Sequence, residues 1–237
     1  MLDVHPPHAP THTWKDFFIH IATIVVGLII AVGLEQTVEA LHKARERTEL
    51  RRALREESQE ILNNCKVTRA VLANRDSTNA LRMNELQTIV WKSKPLTLGS
   101  PRVGPSVLQR PDVPIWRTAR TSGLAALLSP DEIQAYSEVE IVATKVEIAY
   151  DRMVVAHSNR VAFELEFPGP VSTLVSMAPP ADIRQYLHLL SQEQLAIRYV
   201  DVLVAGMSGA ESVILQNNFN VSQIRRSEQD QQSSHNL

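Results

Sequence analysis

Residues Phe17–Leu34 read FFIHIATIVVGLIIAVGL, and only His20 and Thr23 interrupt the apolar run. At about 1.5 Å rise per residue, a helix over this stretch is roughly 27 Å long, close to the hydrocarbon thickness of a bilayer. Three readings compete. A cleaved signal peptide needs a basic start and a small-residue cleavage site. Ala31-Val32-Gly33 would serve as the site, but Lys15 is opposed by Asp3 and Asp16, so the start is not basic. A buried core helix is usually shorter and polar on one face. The retained membrane anchor is the reading these residues favour, with Trp14, Lys15 and Glu35 as interface anchors.

Flanking charge orients the span. Lys15 stands alone on the N-terminal side, whereas Lys43, Arg45, Arg47, Arg51 and Arg52 follow it. The positive-inside rule then places the C-terminal domain in the cytoplasm and the short N-terminus outside; the inverted topology is the alternative. The single Cys65 excludes an internal disulfide and reads as a small buried apolar side chain. Within the span, Thr23, Gly27 and Ala31 repeat every fourth residue. Small residues so spaced let two membrane helices approach closely, which predicts a homodimer or a seam with another membrane helix.

The tail before the span, residues 1–16, carries Pro6, Pro7 and Pro10 and is expected to be flexible. His5, His8, His12 and His20 raise a metal hypothesis, but their spacing matches no standard finger and no Cys joins them. The rest of the chain, residues 35–226, is expected to be one α-helical domain. Net charge is −2, so no strong field attracts nucleic acid.

The predicted fold class is all-α: an N-terminal transmembrane helix that continues into a long helix, followed by a helical bundle. From Glu35 to about Trp91 there is no Pro or Gly, and Leu50, Leu54, Ile61, Cys65, Thr68 and Leu72 line one face. Interleaved Glu and Arg between 45 and 60 predict charge pairs on the solvent side. Residues 93–115, with five prolines, predict a linker that is mobile or covers the bundle. A short helix is expected over Trp116–Leu128. Ser129-Pro130-Asp131-Glu132 then marks a helix start, and the helix should reach about Glu166. Tyr136, Val139, Ala143, Val146, Tyr150 and Met153 form one stripe on it. Ile141, Ile148 and Val155 form a second, which predicts a central position in the bundle. Pro179-Pro180 should open the last long segment, with Gly206 and Gly209 kinking it or turning it into a second helix that ends near Ile224. Residues 227–237 are polar and expected to be disordered.

The common nucleotide, hydrolase and zinc signatures are absent, so no catalytic residue, metal ligand or cofactor is predicted. Glu39-x-x-His42 is a lone pair without the second copy a di-iron bundle uses. His157 and His188 are single histidines in helical stretches. Asp131 with Glu132 reads as a cap, and Glu138 with Glu140 as a solvated edge. Trp116, Arg117 and Arg120 at a helix start suggest an anion or partner contact, unless Trp116 merely anchors the linker and both Arg are solvated.

HTWKDFFIHIATIVVGLIIAVGLEQTVE (12–39) resembles the start of a group of uncharacterised bacterial single-pass membrane proteins, in which a hydrophobic helix ending in Gly-Leu-Glu precedes a helical domain. WRTARTSGLAALLSPDEIQAYSEVE (116–140) resembles a second block shared by that group. The resemblance implies bacterial origin and the same architecture, and no activity. The expected partners are the lipid bilayer, a second copy or another membrane helix, and an unidentified protein. The alternatives are a periplasmic helical sensor with a ligand pocket lined by Tyr136, Tyr150 and Arg120, and an enzyme without familiar motifs.

Overall fold

A computed structural model describes residues 14–92, 108–167 and 179–233. Five α-helices run in order: α1 (Trp14–Lys92), α2 (Pro114–Ser122), α3 (Pro130–Leu165), α4 (Pro180–Leu215) and α5 (Val221–Ser233), with a 3-10 turn at Leu124–Leu127 after α2. No strand occurs among the described residues, as the all-α expectation required. The chain divides into two compact units after Glu49.

In the first unit α1 begins at Trp14, so Trp14, Lys15 and Asp16 belong to the helix and not to a flexible tail. Trp14 packs against Phe17 and Phe18, with ring centroids 5.7 and 5.3 Å apart. The apolar window of this helix is long enough to cross a membrane, and none of it is buried. Thr23 donates its hydroxyl to the Ile19 carbonyl at 2.9 Å, which satisfies the polar group within the helix itself. Beyond the span, Lys43 pairs with Glu39 at 2.6 Å and His42 with Glu46 at 3.1 Å.

The second unit is built on α3, α4 and the part of α1 from Leu50 onward. The predicted stripe on α1 is buried throughout, from Leu50 to Leu72. Facing pairs define the packing directions. Arg51 meets Glu132 and Arg82 meets Glu164, so α1 and α3 run parallel. Arg55 meets Leu215, Arg69 meets Asp201 and Asp76 meets Arg198, so α4 runs antiparallel to α1. Parallel α1 and α3 require the intervening chain to travel back along the bundle. Residues 108–116 show that return: Thr68 donates to the Gln109 carbonyl at 2.6 Å, and Glu57 receives the Ile115 N–H. Val113 is buried on the way. This end of the predicted linker therefore covers the bundle, and Pro114 and Ile115 are already helical. Residues 93–107 lie outside the described part.

The helix ends follow local chemistry. Gly123, at φ 82°, closes α2 in the left-handed region. Ser129 caps α3 reciprocally with Glu132, with Pro130 in the first turn, as its sequence predicts. The second stripe on α3 departs from expectation. Ile141, Ile148 and Val155 are 49%, 50% and 58% exposed. That side of α3 is open, while its other sides meet α1, α2, α4 and α5.

Two further corrections concern the C-terminal part. Gly206 and Gly209 do not break α4, which continues to Leu215 and ends at Asn217 in the left-handed region at φ 57°. Residues 227–233, expected to be disordered, are the second half of α5; residues 234–237 lie outside the described part. The polar sequence of α5 hid one anchor, the fully buried Ile224. Gly209 on α4 lets α5 approach. A Cβ on Gly209 would sit 2.8 Å from the Ser227 carbonyl oxygen and 3.1 Å from Gln231 Cγ. Gly209→Ala is therefore expected to cost about 1–3 kcal/mol of stability in urea unfolding, despite the better helix propensity of Ala. Gly27→Ala, whose Cβ meets nothing within 4 Å, should leave the transition in place.

Candidate functional site

Position 57 falls in register with the apolar stripe of α1, yet it carries a glutamate. Its carboxylate accepts the Ile115 N–H at 2.5 Å and the Trp116 N–H at 3.2 Å. These are among the first N–H groups of α2, which have no partner inside their own helix. No side chain caps α2 locally, so Glu57 caps it from another helix, and its charge suits the positive end of the helix dipole. Burial pushes the Glu57 carboxyl above its ordinary range, and the two N–H bonds oppose that push.

Trp116 is thereby fixed and 1% exposed. Its indole N–H donates to Glu140 Oε2 at 2.9 Å, and its ring stacks on Tyr136 at 5.5 Å between centroids. Arg120 reaches the other oxygen of Glu140 at 2.9 Å. Arg117 meets Asp112 at 2.8 Å and lies 3.7 Å from Glu147. Glu140 is thus a buried hub and not a solvated edge. Both guanidinium groups of the predicted anion contact already face carboxylates of their own chain. An external anion there would have to displace one of them.

Tyr136 extends this aromatic layer to Phe219, with centroids 6.1 Å apart. Both rings line a cleft of about 410 Å³ with Arg51, Arg55, Ser129, Glu132, Ile214, Leu215 and Asn217. Tyr150 and Arg120 do not line it. Tyr150 lies instead beneath the Arg110 guanidinium, 5.5 Å from its ring centroid. Arg51 forks onto Glu132 at 2.8 and 2.9 Å. Burial works against the Glu132 charge, but the bonds from Arg51 and Ser129 win and hold its carboxyl below the ordinary range.

Beside this layer, Glu211 of α4 is 1% exposed and has one oxygen, Oε2, without a hydrogen-bond partner. Burial pushes its carboxyl up to about 7, with the Ser58 hydroxyl bond opposing and Glu57 adding to the shift. Cys65 nearby is buried too, and its thiol is pushed up to about 12, which makes it a packing residue without thiolate reactivity.

A second polar cluster joins α3 to α4 farther along the bundle. His157 Nδ1 meets Glu193 Oε1 at 2.7 Å, and Arg160 bonds both Glu193 and Glu164. Tyr186 donates to Glu164. Burial disfavours the Glu193 charge, but Arg160 and His157 overcome it and hold the carboxyl below its ordinary value. This cluster satisfies its own charges and acts as an interhelical clamp.

Of the remaining predicted site residues, Trp14, Thr23, Gly27, Ala31 and Glu35 all lie on the exposed N-terminal part of α1, as does Lys15. His5, His8 and His12 lie outside the described residues. Glu39 and His42 are engaged by Lys43 and Glu46. No group of three or more His, Cys, Asp or Glu is placed to hold a metal ion among the described residues. No family model, curated protein or solved structure matches the chain.

Glu57, Glu193 and Glu211 were missed as candidates. Glu57, expected on the solvent side with its neighbouring acids, is buried; all three fall where the helical period calls for an apolar side chain.

Glu211 supplies a pH prediction. Its proton is held more tightly in the folded chain, so the associated stability is complete below about 4.5 and is lost as pH rises to about 7. The change is on the order of 3 kcal/mol at about 1.4 kcal/mol per pH unit. Glu132 and Glu193, shifted down, give the opposite slope, losing stability as pH falls through the acid range. Glu211→Gln should therefore melt higher than the natural chain at about pH 8, with the gap closing towards about pH 5. Thermal unfolding across that range is the check; parallel melting curves at all pH values would contradict it.

Proposed function

We propose that this chain is a single-pass protein of the bacterial inner membrane whose helical domain, from Leu50 onward, holds a partner protein at the cytoplasmic face. The observation that carries the reading is the apolar window of α1, all of it exposed. A core helix of a soluble domain would bury such a surface, because leaving it in water forfeits about 25 cal/mol per Å². The same helix from Leu50 onward shows the contrast, with its apolar side chains buried. The basic residues after the span support the cytoplasmic side, although Lys43 shares its charge with Glu39. The resemblance of residues 12–39 and 116–140 to single-pass bacterial proteins supports the same architecture. The partner role is supported by the exposed Ile141, Ile148 and Val155 strip, which lies on the side of α3 away from its own core.

Thr23, Gly27 and Ala31 are the proposed seam for a second copy. Replacing Gly27 and Ala31 by Ile should abolish self-association of the span in a membrane reporter assay; unchanged association removes the seam. Topology is the main test. Paired reporters active only in the cytoplasm or only in the periplasm, fused after Leu237, should give the cytoplasmic signal. A periplasmic signal would replace this reading with an exported helical sensor.

A further inference from the structure

The cleft lined by Tyr136 and Phe219 is also lined by Arg55, an exposed cation whose hydrogen-bond partners are neutral. Arg55 donates from Nη2 to the Leu215 carbonyl at 3.2 Å and to Asn217 Oδ1 at 3.1 Å, both neutral acceptors. Among the described residues it makes no ion pair, and its Nε and Nη1 hydrogens have no protein acceptor. Its neighbour Arg51 is in the opposite condition, committed to Glu132 by two bonds. Glu132 is in turn saturated by Arg51, by the Ser129 N–H at 2.8 Å and by the Ser129 hydroxyl at 2.9 Å. The capped start of α3 therefore adds no free donor of consequence, and one guanidinium carries the unmatched charge of the cleft.

Tyr136, Phe219 and Ile214 give the same cleft an apolar lining, in which Ile214 is nearly fully buried. A cleft of about 410 Å³ lies in the range of small-molecule sites, which combine an apolar wall with a few placed polar groups. We infer that this cleft binds a small organic anion, a carboxylate on a flat apolar body, with Arg55 on the carboxylate and Tyr136 and Phe219 against the body. Asn217, whose Oδ1 already holds Arg55, fixes the guanidinium and offers its amide N–H₂ to the same anion. A bare inorganic ion would leave the aromatic wall unused, and a neutral ring would leave Arg55 unmatched. The inference does not depend on which side of the membrane the domain occupies.

The test uses the full chain in nanodiscs of zwitterionic lipid and benzoate as the probe, followed by saturation-transfer NMR. Benzamide supplies the same ring without charge, and inorganic phosphate, read by its displacement of benzoate, supplies charge without a ring. Benzoate should bind saturably, with benzamide and phosphate each weaker by about tenfold or more, the scale of one charge-assisted contact. Arg55→Gln should weaken benzoate about tenfold, and Arg55→Lys less. Equal binding of benzoate and benzamide, equal binding by a folded Arg55→Gln chain, or no saturable benzoate binding would each overturn the inference. Circular dichroism reports folding of the variants. If Arg55→Gln fails to fold, the benzamide comparison and Phe219→Ala, expected to weaken benzoate but not phosphate, decide alone.

Discussion

The two hydrogen bonds from Ile115 and Trp116 to Glu57 hold the rest of the domain in order. They join a buried acid on one helix to the open N-terminus of another. Without them α2 would begin with unsatisfied N–H groups against an apolar core, a loss of about 1–3 kcal/mol per group. With them, the chain that returns from the far end of α1 is stopped at a defined height. Trp116 then lands on Tyr136, Arg120 reaches Glu140, and the aromatic layer extends to Phe219. Each step is set by the one before it.

The bundle handles buried charge in two different ways. Around Arg160, Glu164 and Glu193 share the cation, Arg82 lies 4.0 Å from Glu164, and Tyr186 and His157 bond the two acids. Around Glu211 there is no cation, and the acid is accommodated by keeping its proton. The first arrangement keeps its charges at neutral pH and ties α3 to α4. The second leaves one oxygen unsatisfied where α4 meets α1, beside the cleft. Local stability there depends on proton availability, whereas the Arg160 region depends on geometry.

The architecture was legible because periodicity is strong where the core is. Leu50, Leu54, Ile61 and Leu72 announce the buried face of α1, and Ser129 with Glu132 announces the start of α3. What stayed hidden has physical causes. Ile141, Ile148 and Val155 repeat as a stripe, but periodicity reports apolar spacing and not whether a neighbour is present. The polar α5 is helical because Gly209 admits its backbone, a contact that exists only once α4 and α5 are both formed. Glu140 looked solvated because its partners, Trp116 and Arg120, come from a different helix. The candidate cleft was partly visible through Tyr136. Arg55 was not, because its significance lies in which acids fail to reach it.

The parallel arrangement of α1 and α3 has a consequence during synthesis. The partner of Arg55 at Leu215 is 160 residues later in the chain. At about 5–20 residues per second, the ribosome needs roughly 8–30 s to deliver it. Through that interval the stripe from Leu50 to Leu72 is already made but lacks its α4 cover, and long-range pairings of this kind form slowly. Until α4 is made, a nascent chain leaves part of that apolar face open, the state in which a chaperone or a second nascent chain would first meet it.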